Sequence, residues 1–389
     1  MKTWYKFLTL CCCLLYAMTA AGQTTLPLRY VPSDSVMTWA YGGQDFRTMA
    51  QTVCPGVRAA RLELAPGAMD HKSKVEEVWQ KVQPELNVVG GGDDELTDGQ
   101  GLPAAYGFNL NGLMWLFTGK AAHADMMERS LYNAVLRTLT DSTLAKQPED
   151  LRAAAEVLMG VPGVIYATTN DERDFFVNLY TNATTNLCLQ QHHFALDQIT
   201  DMPRSGQVKF RLSRLAEPLP LRVHLRIPDW ASKRRPALAA FAYVDTTACL
   251  PRIYVNGHEQ EKVVPDADGY VVIDRVWRSL DEIYIDFPLQ PQYVRHAAAA
   301  TGLTRRGELA LQLGPVVYTV ATPTNGHYFV AHEPLRLSSR FTPSGHPQLE
   351  GDMFREAGTP QDASAPRVTF EALPYADGAA GRVWVREMR

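Results

Sequence analysis

Two hydrophobic periods divide this chain. Between Gly43 and Gly160 apolar side chains recur every three or four residues, and from Val164 onward they alternate with polar or small ones. In the first stretch Val75, Val78, Trp79 and Val82 share one helical face behind Ser73-x-x-Glu76. That spacing lets the serine cap a backbone N–H and the glutamate reach back to it. Pro84 closes the helix, and Leu110 to Phe117 predicts another that stops at Thr118-Gly119. A third runs from about Ala122 to Leu139, with Met127, Leu131, Val135 and Leu139 on one face and Asp125 and Arg129 spaced to pair. Pro148 opens a fourth, with Glu149 and Asp150 in its first turn and Gly160 at its end. Asp45 to Val53 is a further, weaker candidate.

Beyond Val164 the sets Val208/Phe210/Leu212, Val223/Leu225/Ile227, Ile283/Ile285/Phe287 and Leu309/Leu311/Leu313 predict half-buried strands. Asn256-Gly257 and Asp268-Gly269 mark turns between strands. Residues 334–366, rich in Pro, Gly and Ser, are expected to form a long surface loop before strands at Arg367 to Leu373 and Arg382 to Val385. The fold class that follows is multidomain, α plus all-β. Its expected division is a signal at 1–22, a linker at 23–42, a helical region at 43–160 and one or two antiparallel β-sandwiches at 161–389.

Lys2 and Lys6, the apolar run Phe7 to Tyr16 and the small Ala20-Ala21-Gly22 read as a secretory signal, so the expected location is periplasmic or extracellular. The apolar run is too short for a membrane anchor, and the bulky Leu10 before Cys11 fits a lipid-attachment site poorly. Three cysteines, Cys54, Cys188 and Cys249, lie beyond the signal and can form at most one bridge. His192 and His193, adjacent on a strand, point to opposite faces and do not ligate one metal together. The formal charge is −4, with basic residues scattered rather than striped, which excludes a phosphate-tracking surface and a nucleic-acid partner.

Several phrases carry more than periodicity. Met127-Glu128-Arg129-Ser130-Leu131-Tyr132-Asn133-Ala134-Val135-Leu136 is followed in order by Val161-Pro162-Gly163-Val164-Ile165-Tyr166 and Val177-Asn178-Leu179-Tyr180. Leu225-Arg226-Ile227-Pro228-Asp229-Trp230-Ala231, Val255-Asn256-Gly257 and Gly314-Pro315-Val316-Val317-Tyr318 come after them. In this order they resemble the β-L-arabinofuranosidase-like glycoside hydrolases of family 127. The resemblance implies an (α/α)6 barrel followed by β-sandwich domains, a carbohydrate partner, and arabinofuranosides as the inherited substrate class. A full barrel needs roughly 200 residues, and the roughly 118 from Gly43 to Gly160 make room for about half of it. A partial barrel is expected to expose apolar helix faces, to be covered by a second copy or a partner or by folding onto the sandwich.

The resemblance also implies retaining hydrolysis by a zinc-held cysteine thiolate with a glutamate as acid/base. Registering Met114-Trp115 on the family's helix puts its Glu-x-Cys pair at Ala105 and Gly107, and registering Pro162-Gly163 puts its paired cysteines near Glu149 and Asp150. No thiol remains at any of these positions, so the family's zinc site is expected to be lost and no cofactor is assigned. The residual acid/base candidates are Asp94 and Glu95, in the glycine-rich Gly90 to Glu95 segment. A carboxylic acid there would protonate a leaving glycosidic oxygen but lacks a partner nucleophile. Three readings remain open: a divergent hydrolase dependent on Asp94 or Glu95, a non-catalytic glycan-binding or scaffold protein, and a remnant without function. Trp230 and Trp277 are expected in the sandwich core rather than on a sugar-stacking surface.

Overall fold

The computed structural model describes residues 28–38, 44–58, 72–83, 86–91, 101–140, 147–233, 241–261, 263–296, 307–321, 328–330, 333–355, 367–378 and 381–387. The signal segment and Asp93, Asp94 and Glu95 lie outside them.

The helical region comprises α1 (Phe46–Val53), α2 (Lys72–Val82), α3 (Gly101–Thr118), α4 (Ala121–Ser130), α5 (Leu136–Thr140) and α6 (Pro148–Gly160), and a short α7 (Asp229–Ser232) follows in the sheet region. Asp45 caps α1 by accepting from the Thr48 N–H at 2.9 Å. In α2 the expected face is buried through Val75, Val78 and Val82. The helix already includes Lys72, however, so Ser73 lies inside it rather than at its cap. Helix α3 starts nine residues ahead of the apolar segment that predicted it. Pro103 falls in the first turn, where a missing N–H costs no intrahelical bond.

Helix α4 runs through a π-helical turn, Leu131–Val135, into α5. Nearly every residue of this rod is buried, because it lies against both the middle and the C-terminal sheets. The wider turn frees a backbone donor: the Ala134 N–H reaches Val89 O at 3.3 Å, outside the helix.

Three sheets follow, largely antiparallel. The middle sheet is ordered Leu28–Val31, Tyr166–Thr169, Asp174–Val177, Leu219–Arg226, Tyr270–Trp277, with one parallel pair between Asp174–Val177 and Leu219–Arg226. An eight-stranded outer sheet runs from His258–Glu259 through Arg252–Val255, Glu282–Asp286, Gln207–Ser213, His192–Thr200, Asn182–Leu189 and Ser35–Thr38 to Gln44–Asp45. Leu219, Leu221, Val223 and Leu225 of the middle sheet share a core with Val208, Phe210 and Leu212 of the outer one. The opposite face of the middle sheet carries Phe176 and meets α3 through Trp115, their rings 5.5 Å apart. The order of layers is therefore helices, middle sheet, outer sheet. A nine-stranded C-terminal sheet has its own core around Leu311, Tyr318, Leu349 and Phe370.

The mixed architecture expected from the two periods is present. Two local expectations need correction. Residues 28–38, assigned to a linker, supply Leu28–Val31 and Ser35–Thr38, which pair with Tyr166–Thr169 and Asn182–Leu189. Residues 334–366 are not one loop, since Arg336–Phe341 and Pro347–Arg355 are paired strands within them. Large hydrophobics that stay exposed among the described residues, from Ile199 to Phe341, all belong to the sheet region. The described helices thus cover their apolar faces within the chain. No described helix is long and apolar enough to cross a membrane.

Candidate functional site

The positions that the resemblance assigns to zinc and nucleophile converge near the start of α3. Its first turn is held from another helix: Asp150 of α6 accepts from the Leu102 N–H at 2.7 Å. Leu102 belongs to the turn whose N–H groups have no partner inside the helix, so Asp150 satisfies one of them across the helix pair. Burial raises the Asp150 pKa, an effect the Leu102 N–H opposes and Glu149 reinforces. Glu149 is exposed, so only one of the two first-turn carboxylates faces inward.

Ala105 and Gly107 lie one turn further along α3, both buried. A Cβ on Gly107 would lie 3.0 Å from the Leu86 side chain, so packing already fills the space beside this helix. Below it Asn111 donates to Gly107 O at 2.8 Å and accepts from Trp79 Nε1 at 3.2 Å. The same Asn111 oxygen lies 3.0 Å from His123 Nδ1, which assigns the proton to that nitrogen. Burial, with Lys120 nearby, pushes the His123 pKa down to about 3, so its ring is neutral. This Trp79–Asn111–His123 cluster was not singled out in the sequence, where the three are separated by 32 and 12 residues.

These residues do not fit the zinc site that the family implies. Ala105 and Gly107 offer no donor atom, Asp150 is committed to Leu102, and Glu149 points to solvent. Among the described residues no three His, Cys, Asp or Glu side chains lie close enough together to hold a metal ion. The three described cysteines, Cys54, Cys188 and Cys249, are unbridged. Asp94 and Glu95 lie outside the described residues, so the structure does not place them against this cluster.

Asp150→Ala is expected to cost about 0.5–2 kcal/mol, the usual loss for a helix cap. Asp150→Asn keeps an oxygen acceptor and should be at least as stable as the parent near neutral pH. The sign follows from the raised pKa: the folded state disfavours the ionised carboxylate, so the parent loses stability as pH rises through the unfolded value toward the folded one. The Asn variant escapes that loss. Urea midpoints at pH 4 and pH 7 test it, and an advantage for the parent that grows with pH would contradict the assignment.

A second constellation joins the quoted phrases. Arg226, fully buried, donates to Asp125 Oδ1 and Glu128 Oε1, each at 2.5 Å. Trp230 Nε1 donates to Glu128 at 3.1 Å, and Arg129 reaches Val88 O at 3.0 Å and Gln312 at 3.1 Å. Burial pulls the Arg226 pKa down, but Glu128 and Asp125 outweigh it and hold the guanidinium charged. Asn133 donates to Pro315 O at 2.9 Å and accepts from the Val317 N–H at 2.8 Å. Tyr132 Oη donates to Tyr180 O, and Tyr180 Oη to Arg226 O. Asp125 and Glu128 are the carboxylates the fold does bring together, but both are sealed from solvent and cannot touch a substrate. Trp230 and Trp277 are buried, as expected.

The site thus lies in a layer of helices packed on two stacked sheets and joined to them by these buried contacts. Residues 174–289 match the family described as Beta-L-arabinofuranosidase, GH127 middle domain. That match covers less than a third of the chain, and the likeness beyond it is one of fold. A GH127 β-arabinofuranosidase, BT3674, superposes with a TM-score of 0.70 at 20% identity, covering 88% of this chain and 58% of that one. A GH127 β-L-arabinofuranosidase from Geobacillus stearothermophilus T6 gives 0.65 at 20% identity, covering 88% and 59%. A structure described as a glycoside hydrolase gives 0.65 at 16% identity, covering 88% and 65%. The chain therefore spans less than two thirds of the length of each. No curated protein matches it.

Proposed function

We propose that this chain is an exported, carbohydrate-engaging protein of the GH127 type that does not perform zinc–thiolate hydrolysis. The observation that carries the reading is the chemistry at the four registered positions. Ala105 and Gly107 carry no ligand atom, Glu149 faces solvent, and the Asp150 carboxylate is spent on the α3 backbone. A thiolate nucleophile needs both a sulfur and a cation to hold it deprotonated, and these side chains supply neither. What the chain retains from the family is its β-framework, including the middle domain at 174–289.

The test is turnover of an aryl β-L-arabinofuranoside by the purified chain, with zinc content measured on the same sample. Release at the uncatalysed rate and zinc well below one ion per chain are expected. Turnover accompanied by one zinc per chain would sink the proposal. Zinc-free turnover abolished by Asp94→Asn or Glu95→Gln would instead establish a divergent hydrolase with a carboxylic acid catalyst.

A further inference from the structure

The outer sheet presents a feature that the helical cluster does not explain. Tyr254 and Tyr284 are directly opposed on Arg252–Val255 and Glu282–Asp286, with ring centroids 5.9 Å apart and planes at 45°. Lys209 continues the row on the neighbouring strand, and Ile199, 52% exposed, lies beyond it. Around the tyrosines is a depression of about 390 Å³ lined by Lys209, Asn256, Gly257, Glu282 and Asp286. That volume falls within the range of small-molecule sites, roughly 300–1,000 Å³.

Outward strand faces commonly carry cross-strand aromatic and ionic pairs for stability alone, and part of this one does. Arg252 pairs with Glu259, and Lys209 with Glu282 at 2.8 Å. Two polar groups stay outside that pairing. Neither the Tyr284 hydroxyl nor the Asp286 carboxylate makes a hydrogen bond to a described residue. Half-buried rings edged by a hydroxyl and a carboxylate without hydrogen-bond partners, the carboxylate held electrostatically near Arg252, match a ligand with an apolar face and a rim of hydroxyls. A carboxylate accepts two such hydroxyls at once, and tyrosine combines an apolar ring with a polar tip.

We propose that this ledge is a binding site for a neutral oligosaccharide, with the sugar's C–H face on Tyr254 and Tyr284 and its hydroxyls on Asp286, Tyr284 and Lys209. Other ligand classes fit less well. Tyr254 is paired with Glu259 and Tyr284, and Tyr284 with Tyr254 and Lys209, so the ledge itself offers no free backbone groups to a peptide. Glu259, Glu282 and Asp286 oppose a phosphate backbone. The site is distinct from the α3 cluster and shares with the preceding proposal only the carbohydrate nature of the ligand.

The experiment is retardation of the full chain in gels containing soluble arabinan or dextran, with calorimetric titration of the corresponding short oligosaccharides. The parent should bind at least one of the two. Tyr284→Ala and Tyr254→Ala should each weaken binding by about tenfold, and Asp286→Asn by several-fold, with unchanged thermal melting. Asp286→Asn preserves shape and serves if a tyrosine variant fails to fold. Binding that is unchanged in Tyr284→Ala and Asp286→Asn, or no binding to either glycan, overturns the proposal. Arabinofuranoside turnover leaves the ledge untouched, and loss of ledge binding leaves the absence of turnover untouched, so the two proposals fail separately.

Discussion

Arg226→Ala is expected to destabilise the chain by about 3–5 kcal/mol, because it strands Asp125 and Glu128 as buried carboxylates without a counter-charge. The guanidinium also orders what surrounds it. Tyr180 packs beneath it and hydrogen-bonds its backbone carbonyl, and Trp230 shares its Glu128 partner. A urea midpoint that falls with little change in slope is the expected readout. The physical cause can be separated from lost volume. The triple variant Asp125→Asn/Glu128→Gln/Arg226→Met removes all three charges while keeping a carbonyl acceptor for Trp230, and it should recover most of the loss. A single variant costing less than about 1 kcal/mol would mean that the network does not hold the sandwich to the helices.

The second large effect is expected at Gly90. Its φ is +75°, and a Cβ there would lie 2.5 Å from Ser130 Cα and 2.7 Å from Ser130 N. Both are backbone atoms of α4 and cannot swing aside as a flexible side chain would. Gly90→Ala therefore combines left-handed strain with forced separation of the 86–91 turn from α4, for a cost of about 2–5 kcal/mol. That separation would break the bond from Ser130 Oγ to Gly90 O and the Arg129 contact to Val88 O, both 3.0 Å. Gly56→Ala is the control, since Gly56 has a φ of +79° but a Cβ added there would meet nothing within 4 Å. It should cost only about 1 kcal/mol, the backbone term alone. Equal losses at the two sites would show that steric contact with α4 contributes nothing.

These two effects explain why the phrases were legible while the chemistry was not. Glu128, Arg129, Tyr132 and Asn133 meet Arg226, Asp229, Tyr180 and Val317 on other elements, so their identities are fixed by donors and acceptors that must match in the interior. Such matching leaves a specific string in the sequence, and the family resemblance followed from it. It is a signature of docking, however, and carries no information about catalysis. The registered positions Ala105, Gly107, Glu149 and Asp150 could be counted off from the same strings. What Asp150 does instead could not, since a carboxylate at the start of α6 gives no local sign that it caps α3.

The errors have similar causes. Leu28–Val31 and Ser35–Thr38 are four-residue strands whose only strong signal is the partner strand far along the chain. The first half of α3 was hidden by Gly101, Pro103 and Gly107, which suit a helix there only because Thr138, Leu86 and Asp150 lie against it. The Trp79–Asn111–His123 cluster joins three helices, and no spacing rule connects residues on separate elements.

By itself the sequence determined the succession of helices and strands, because periods of 3.6 and 2 are local consequences of backbone geometry. It shows as well that Ala105, Gly107, Glu149 and Asp150 carry no sulfur, which is a matter of composition. Only the tertiary structure decided that Asp125 and Glu128 are sealed while Tyr254, Tyr284 and Asp286 lie open beside a depression. Burial is set by which layers stack on a face, and the sequence around the carboxylates Asp125, Glu128 and Asp286 does not tell them apart until that stacking is known.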